Sequence, residues 1–228
     1  MTHVDGLRSI RFTAGGGAEV SAVLRQPPEA RALLVLGHGA GAGMHHRFMD
    51  AISRRLAAQG LATLRYQFPY MEAGSRRPDP QPILLATVRS AVAVAQQETP
   101  RLPLLAGGKS MGGRMTSMAA SQQPLEGVRG IVFLGFPLHP AARPSTGRAD
   151  HLSDVTVPML FLAGTRDRLA GLDLLRQVCD GLGAGARLHV VEGADHSFAV
   201  LKRSGRTDDE ALDELAATTR AWVAEVVR

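Results

Sequence analysis

Three short stretches hold the residue types that nucleophilic catalysis needs. Gly108-Lys109-Ser110-Met111-Gly112 sets a serine between glycines two positions to either side. Gly164-Thr165-Arg166-Asp167 ends on a carboxylate, and Asp195-His196-Ser197-Phe198 offers an imidazole. A serine hydroxyl is a weak nucleophile until a base takes its proton. A histidine serves best as that base when a carboxylate fixes its tautomer and stabilises the imidazolium. The glycine spacing has a steric reason: a serine on a sharp strand-to-helix turn needs neighbours without side chains, as in the G-x-S-x-G nucleophile elbow. The chemistry in reach is acyl transfer through a covalent serine intermediate.

Each residue has a blander reading when taken alone. Glycine makes up 25 of 228 residues, so the pentapeptide by itself is a modest signal. A serine in a glycine turn is often structural, Asp167 suits a turn or a helix cap, and His196 suits a satisfied surface position. Asp195 competes for the role of acid because it adjoins His196. Adjacent side chains rarely point at one another, so Asp167 is preferred. Gly108-Lys109-Ser110 also hints at a phosphate-binding loop, but that motif needs a glycine five positions before Gly108, where Pro103 stands. His38, His45 and His46 lack the spacing of a zinc helix, and no metal site is expected.

The positions become meaningful once the elements are placed. Residues 8–13 and 18–25 alternate weakly around Gly15-Gly16-Gly17, as in an edge hairpin. Leu33-Leu34-Val35-Leu36 is a continuous apolar run of the kind a buried parallel strand needs, and it enters the glycine-rich loop 37–43. Further strands are expected at 61–66, 102–106, 128–134, 159–163 and 188–191. Helical periodicity falls at 45–59, 82–97, 111–119, 172–182 and 212–226. Strands alternating with amphipathic helices predict a single α/β domain over residues 1–228, with a mainly parallel sheet covered on both faces. The methionine and leucine stripes belong to its core.

In such a sheet, functional groups collect beyond the carboxyl ends of the strands. Ser110, Asp167 and His196 each fall just past a strand end, in the chain order that triad partners follow after a nucleophile elbow. The developing oxyanion needs donors. Met111 N–H, directly after the nucleophile, is one; the 38–43 loop offers Ala40, with Gly41 in reserve.

Composition bounds the alternatives. Hydrophobic residues at 45% and charged residues at 21% are ordinary globular values. The net charge of +5 raises nucleic acid as a partner, yet the arginines are scattered and only Arg54-Arg55 and Arg76-Arg77 are adjacent pairs, so no nucleic acid is expected. The single cysteine, Cys179, excludes an intrachain disulfide. Neither an apolar leader in residues 1–11 nor a membrane-length apolar run is visible, which predicts a soluble, cytoplasmic protein without membrane partners.

The chain resembles the small, lidless α/β hydrolases of the dienelactone-hydrolase-like group. Within that group it is similar to the branch with the testis-expressed and NSL-complex-subunit proteins and their bacterial relatives. The residues that carry this are Gly37-His38-Gly39-Ala40-Gly41-Ala42-Gly43, Phe68-Pro69-Tyr70, Gly108-Lys109-Ser110-Met111-Gly112-Gly113, Gly135-Phe136-Pro137-Leu138-His139-Pro140, Gly164-Thr165-Arg166-Asp167 and Asp195-His196-Ser197-Phe198. The resemblance implies the α/β-hydrolase fold and a Ser-Asp-His apparatus. A true dienelactone hydrolase carries a cysteine where Ser110 stands, so its substrate is not inherited.

Only residues 135–158 separate two strands where many relatives insert a lid, and Pro137, Pro140, Pro144 and Pro158 lie among them. No cap domain is expected, and the site should be open. Met44, Tyr70, Met71, Phe136, His139 and Phe198 are the expected substrate-binding wall, with His139 equally suited to bonding a loop carbonyl. The reading is a serine hydrolase of small esters, lactones or thioesters, with water as second acceptor and no cofactor. The alternative is an interaction protein with a vestigial site, since some relatives serve in protein complexes. Oligomeric state is not legible.

Overall fold

The computed structural model describes residues 6–228; the reading of residues 1–11 as lacking a leader falls partly outside the described residues. An edge hairpin, β1 (Leu7–Thr13) and β2 (Glu19–Arg25), opens the fold. Then follow β3 (Ala32–Gly37), α1 (Arg47–Ala58), β4 (Leu61–Tyr66), the short α2 (Pro69–Glu72) and α3 (Gln81–Glu98). The second half runs β5 (Leu104–Lys109), α4 (Met111–Gln122), β6 (Val128–Leu134), β7 (Met159–Gly164), α5 (Leu172–Leu182), β8 (Ala186–Val191) and α6 (Asp208–Val226). The eight strands form one sheet in the order β1-β2-β4-β3-β5-β6-β7-β8. Pairing is antiparallel for β1 with β2 and β2 with β4, and parallel from β4 across to β8.

Why these runs became buried strands is visible in how they divide their side chains. Successive strand residues point to opposite faces. Leu33 and Val35 of β3 therefore join Ile131, Phe133 and Phe161 in the core beneath α3, α4 and α5. Ala32, Leu34 and Leu36 join Val132, Leu134, Leu160 and Leu162 beneath α1 and α6, where Ile52, Leu215 and Trp222 close the layer. A strand with helices on both sides must be apolar on both faces, and that is why β3 reads as an unbroken apolar run. The last helix starts on a capping box: Thr207 Oγ1 accepts from Glu210 N–H at 3.2 Å, and Glu210 Oε2 accepts from Thr207 N–H at 2.7 Å.

Two departures from the sequence expectation matter for the site. The elbow strand runs to Lys109, so Gly107 and Gly108 are strand residues paired with β3 and β6. The stretch after β4, to which the sequence pattern assigns no strand or helix, contains α2, started by Pro69 at its first position. Between β6 and β7 a 3-10 segment, Gly147–Asp154, packs on α4; a separate cap domain is absent from the described residues. No helix among them is long and apolar enough to cross a membrane.

Candidate active site

Ser110 sits between β5 and α4 with φ 51° and ψ −113°, a left-handed backbone that a non-glycine residue rarely adopts. Such a conformation costs on the order of 1–3 kcal/mol and persists only where the surroundings enforce it. Here the enforcement comes from close packing on β3. A Cβ on Gly112 would stand 2.2 Å from Gly37 O, so the helix reaches the strand only because that side chain is missing. The turn leaves the Ser110 hydroxyl beyond the sheet edge, partly exposed.

The two other strand ends meet it there. His196 Nε2 lies 2.9 Å from Ser110 Oγ, and His196 Nδ1 lies 2.7 Å from Asp167 Oδ2. The bond to the carboxylate fixes the proton on Nδ1 and leaves Nε2 free to accept from the serine hydroxyl. The Asp167 side chain is wholly buried, while that of His196 keeps 21% of its exposure. Asp167 Oδ1 accepts from Leu169 N–H at 2.7 Å, so both carboxylate oxygens are engaged. Asp195 does something else. Its Oδ1 accepts from Ser197 N–H at 2.8 Å and from Ala199 N–H at 3.0 Å, building the turn that presents His196. Within that turn Phe198 has φ 63°, the other non-glycine residue with positive φ among the described residues.

The 38–44 loop after β3 is strapped down along its length. Burial lowers the His38 pKa to about 4, so its ring is neutral; Nδ1 donates to Gly39 O at 2.8 Å and Nε2 accepts from Phe68 N–H at 3.2 Å. Tyr70 Oη accepts from Gly41 N–H at 3.1 Å, and Tyr70 N–H in turn donates to Asp79 at 2.8 Å. Met44 N–H donates to Gln67 Oε1 at 2.8 Å, and Arg65 donates to Met44 O at 3.2 Å. The Phe68-Pro69-Tyr70 motif is thus a brace for this loop. It also occupies one of the two candidate loop donors. Gly41 N–H is spent on Tyr70, whereas Ala40 N–H and Met111 N–H meet no acceptor among the described residues.

The expected wall residues are largely covered. Met44, Tyr70, Phe136, His139 and Phe198 are all buried, and only Met71 keeps part of its surface. Phe136 turns inward against Phe133 and Phe161, with ring centroids 5.1 and 5.9 Å away. Phe198 stacks on Phe48 at 5.9 Å. His139 has both ring nitrogens occupied, by Pro140 O at 2.9 Å and by Gly171 N–H at 2.9 Å, so it is a loop staple. These five were expected to line the substrate wall; their side chains fold under the loops instead. A groove of about 780 Å³ lies elsewhere, along Leu7, Leu24, Pro27 and Arg54. Of the three candidate catalytic side chains, those of Ser110 and His196 are partly exposed and that of Asp167 is buried.

Sequence reasoning passed over Arg65 and Gln67 and weighed Lys109 only as part of a phosphate loop. Arg65 did carry a signal, a charge inside an otherwise apolar strand. His46, weighed as a metal ligand, caps α1 by accepting from Phe48 N–H at 3.3 Å.

The family model for an "Alpha/beta hydrolase domain" matches residues 30–224. The chain is an α/β hydrolase. This hydrolase superposes on the dienelactone hydrolase of Anabaena variabilis with a TM-score of 0.77 and 22% identity, over 99% of this chain and 100% of that one. It is similar to an esterase domain from Rhodothermus marinus, with a TM-score of 0.74 and 17% identity over 97% and 99% of the two chains. A lidless serine hydrolase from Xanthomonas campestris matches with a TM-score of 0.73 and 18% identity over 95% and 94%. At these identities the likeness speaks for the fold alone.

Proposed function

We propose that this α/β hydrolase cleaves small carboxylic esters, lactones or thioesters through an acyl-enzyme on Ser110. The observation that carries this reading is the hydrogen-bonded chain from Ser110 Oγ through His196 to the buried Asp167. Ser110 Oγ attacks the carbonyl carbon while its proton passes to His196 Nε2, and the carbonyl π pair moves onto oxygen. That oxyanion is received by Met111 N–H and Ala40 N–H. Collapse of the intermediate expels the alcohol or thiol, which takes the proton from Nε2. Water then attacks the acyl carbon while its proton passes to Nε2, and the second collapse breaks the bond to Ser110 Oγ, which takes that proton back as the acid leaves. The braced 38–44 loop supports the scheme because donors held in place before the reaction need no reorganisation during it. The esterase and dienelactone hydrolase among the structural neighbours agree with the reaction class. The narrower likeness to the testis-expressed and NSL-complex branch rests on the quoted sequence blocks.

The partial exposure of Ser110 and His196 and the short 135–158 connection favour small acyl groups delivered from solvent. A fluorophosphonate probe tests the scheme. The folded protein is expected to be labelled at Ser110, with labelling lost in Ser110→Ala and strongly slowed in His196→Ala. An unlabelled wild-type protein with no saturable turnover of short p-nitrophenyl esters would instead mark a scaffold with a vestigial site.

A further inference from the structure

One charged group near the candidate triad has no role in the scheme above. Lys109, the residue before the nucleophile, runs its side chain through the middle of the strand-end loops. Its Cγ passes Gly39 of the loop after β3, and its Nζ comes to the position facing Gly135 after β6. There it donates to His196 O at 2.6 Å. The ammonium lies beside the stacked pair of Phe48 on α1 and Phe198, 5.7 and 5.6 Å from their ring centroids. Gly135 makes the passage possible. A Cβ there would be 3.1 Å from Lys109 Nζ and 3.4 Å from His196 Cε1, wedged between the two groups.

We propose that Lys109 is a positioning residue for acyl transfer: its ammonium ties the backbone of His196 to the strand that carries Ser110, and the tie slackens when the charge is lost. This rests on the serine-hydrolase reading. The geometry suits the task. Residues 109 and 196 come from strands separated by β6 and β7 in the sheet, so no backbone ladder joins them directly. A hydrogen bond from a charged donor is roughly twice as strong as a neutral one, and the ring faces of Phe48 and Phe198 attract the cation further. The turn that presents His196 also holds the positive φ of Phe198, so an external anchor opposes its relaxation.

The charge state is set by the surroundings. Burial pushes the Lys109 ammonium down to about 8, against the pull of the Asp167 and Asp195 carboxylates. His196 is the other titratable group at hand; Phe48 of α1 and the glycines after β3 and β6 present no charge. The sign follows. Below about pH 8 the ammonium is intact and holds the histidine loop, and above it the neutral amine is a weaker donor.

The test compares wild-type protein with Lys109→Met, which keeps the apolar stem, and Lys109→Arg, which keeps the charge. Rates of p-nitrophenyl ester hydrolysis and of fluorophosphonate labelling are followed from pH 6 to 10. Wild type is expected to lose kcat above about pH 8. Lys109→Met is expected to lose on the order of 10- to 100-fold in kcat at pH 7, since small misplacements of reacting groups cost this much. Its KM should stay within about twofold and its alkaline limb should vanish, whereas Lys109→Arg should recover activity and hold it beyond pH 9. Wild-type kcat in Lys109→Met, or an alkaline limb that persists in it, would overturn the proposal. A readout that needs neither variant uses the lysine count: Lys109 and Lys202 are the only lysines, so lysine-labelled protein gives two resolvable side-chain signals. Lys109 titrating together with the His196 ring resonances supports the tie, and an ordinary lysine titration without that coupling refutes it. A wild-type protein that fluorophosphonate never labels sinks the hydrolase reading separately, because the magnetic resonance titration needs no turnover.

Discussion

His38 makes the loop brace sensitive to acid. Its side chain is fully buried, and burial holds its pKa at about 4, against 6.5 for the free residue. A base whose folded pKa lies below its unfolded one binds its proton more readily when the chain is unfolded. Stability is therefore full above pH 6.5, falls as pH drops through the window from 6.5 to about 4, and loses nothing more from this group below that. A gap of about 2.5 pH units corresponds to roughly 3 kcal/mol, a large share of a typical 5–15 kcal/mol domain stability. With a urea slope of about 2–3 kcal/mol per molar, the unfolding midpoint should fall by about 1 M between pH 7 and pH 4.5. Trp222, the single tryptophan and a buried one, supplies the fluorescence signal. His151, also lowered to about 4 by burial and by Arg114, acts in the same direction, with its share reduced by solvent. The comparison with His38→Asn isolates His38. That variant should begin about 1–3 kcal/mol lower at pH 7, because Phe68 N–H loses its acceptor, and should then show a shallower fall on acidification. An identical fall in both proteins would refute the reasoning.

The two aspartates beside the histidine loop separate cleanly by substitution. Asp167→Asn should cost on the order of 10³–10⁴-fold in kcat by presenting the wrong tautomer to His196, while Asp195→Asn, which keeps an oxygen for Ser197 and Ala199, should stay within about tenfold in the same ester assay. Gly112→Ala places a methyl 2.2 Å from Gly37 O, where neither partner can rotate away. An overpacking penalty of about 3 kcal/mol or more should lower Tm by about 6–12 °C in a thermal scan. Gly181→Ala, in α5 with open space around it, should be neutral or stabilising by up to about 1 kcal/mol.

Much of this arrangement could be read from the residues because parallel strands force their chemistry to one edge. Apolar runs marked where strands stop, and Ser110, Asp167 and His196 each stood just beyond a stop. Strands β4 and β6 matched their expected bounds because both are mostly apolar and buried, despite Arg65 in one and Arg129 in the other. What lay beyond a strand end was less legible. Phe136 and Phe198 looked like substrate contacts, yet an apolar side chain leaving a strand has two choices, and both turned under their loops. Asp195 looked like a rival acid because proximity in sequence hides a side chain that bonds its own turn. Lys109 was weighed only as part of a phosphate loop. Its path to the His196 carbonyl depends on Gly39, Gly135, Phe48 and Phe198 leaving a channel, and no local pattern encodes a channel built from four segments.

The strand order has a consequence for the time course of synthesis. Ser110 follows the central β5, and Asp167 and His196 follow β7 and β8 at one margin of the sheet. A ribosome therefore completes the Ser110 turn long before His196, its proposed base, emerges. Through that interval the growing chain displays a serine with nothing to take its proton. On the proposed scheme hydrolytic competence arrives late, once β8 has added to the sheet edge and α6 has closed over α1. On the proposed scheme, partly made copies would be catalytically silent, and activity would belong only to chains that have finished folding.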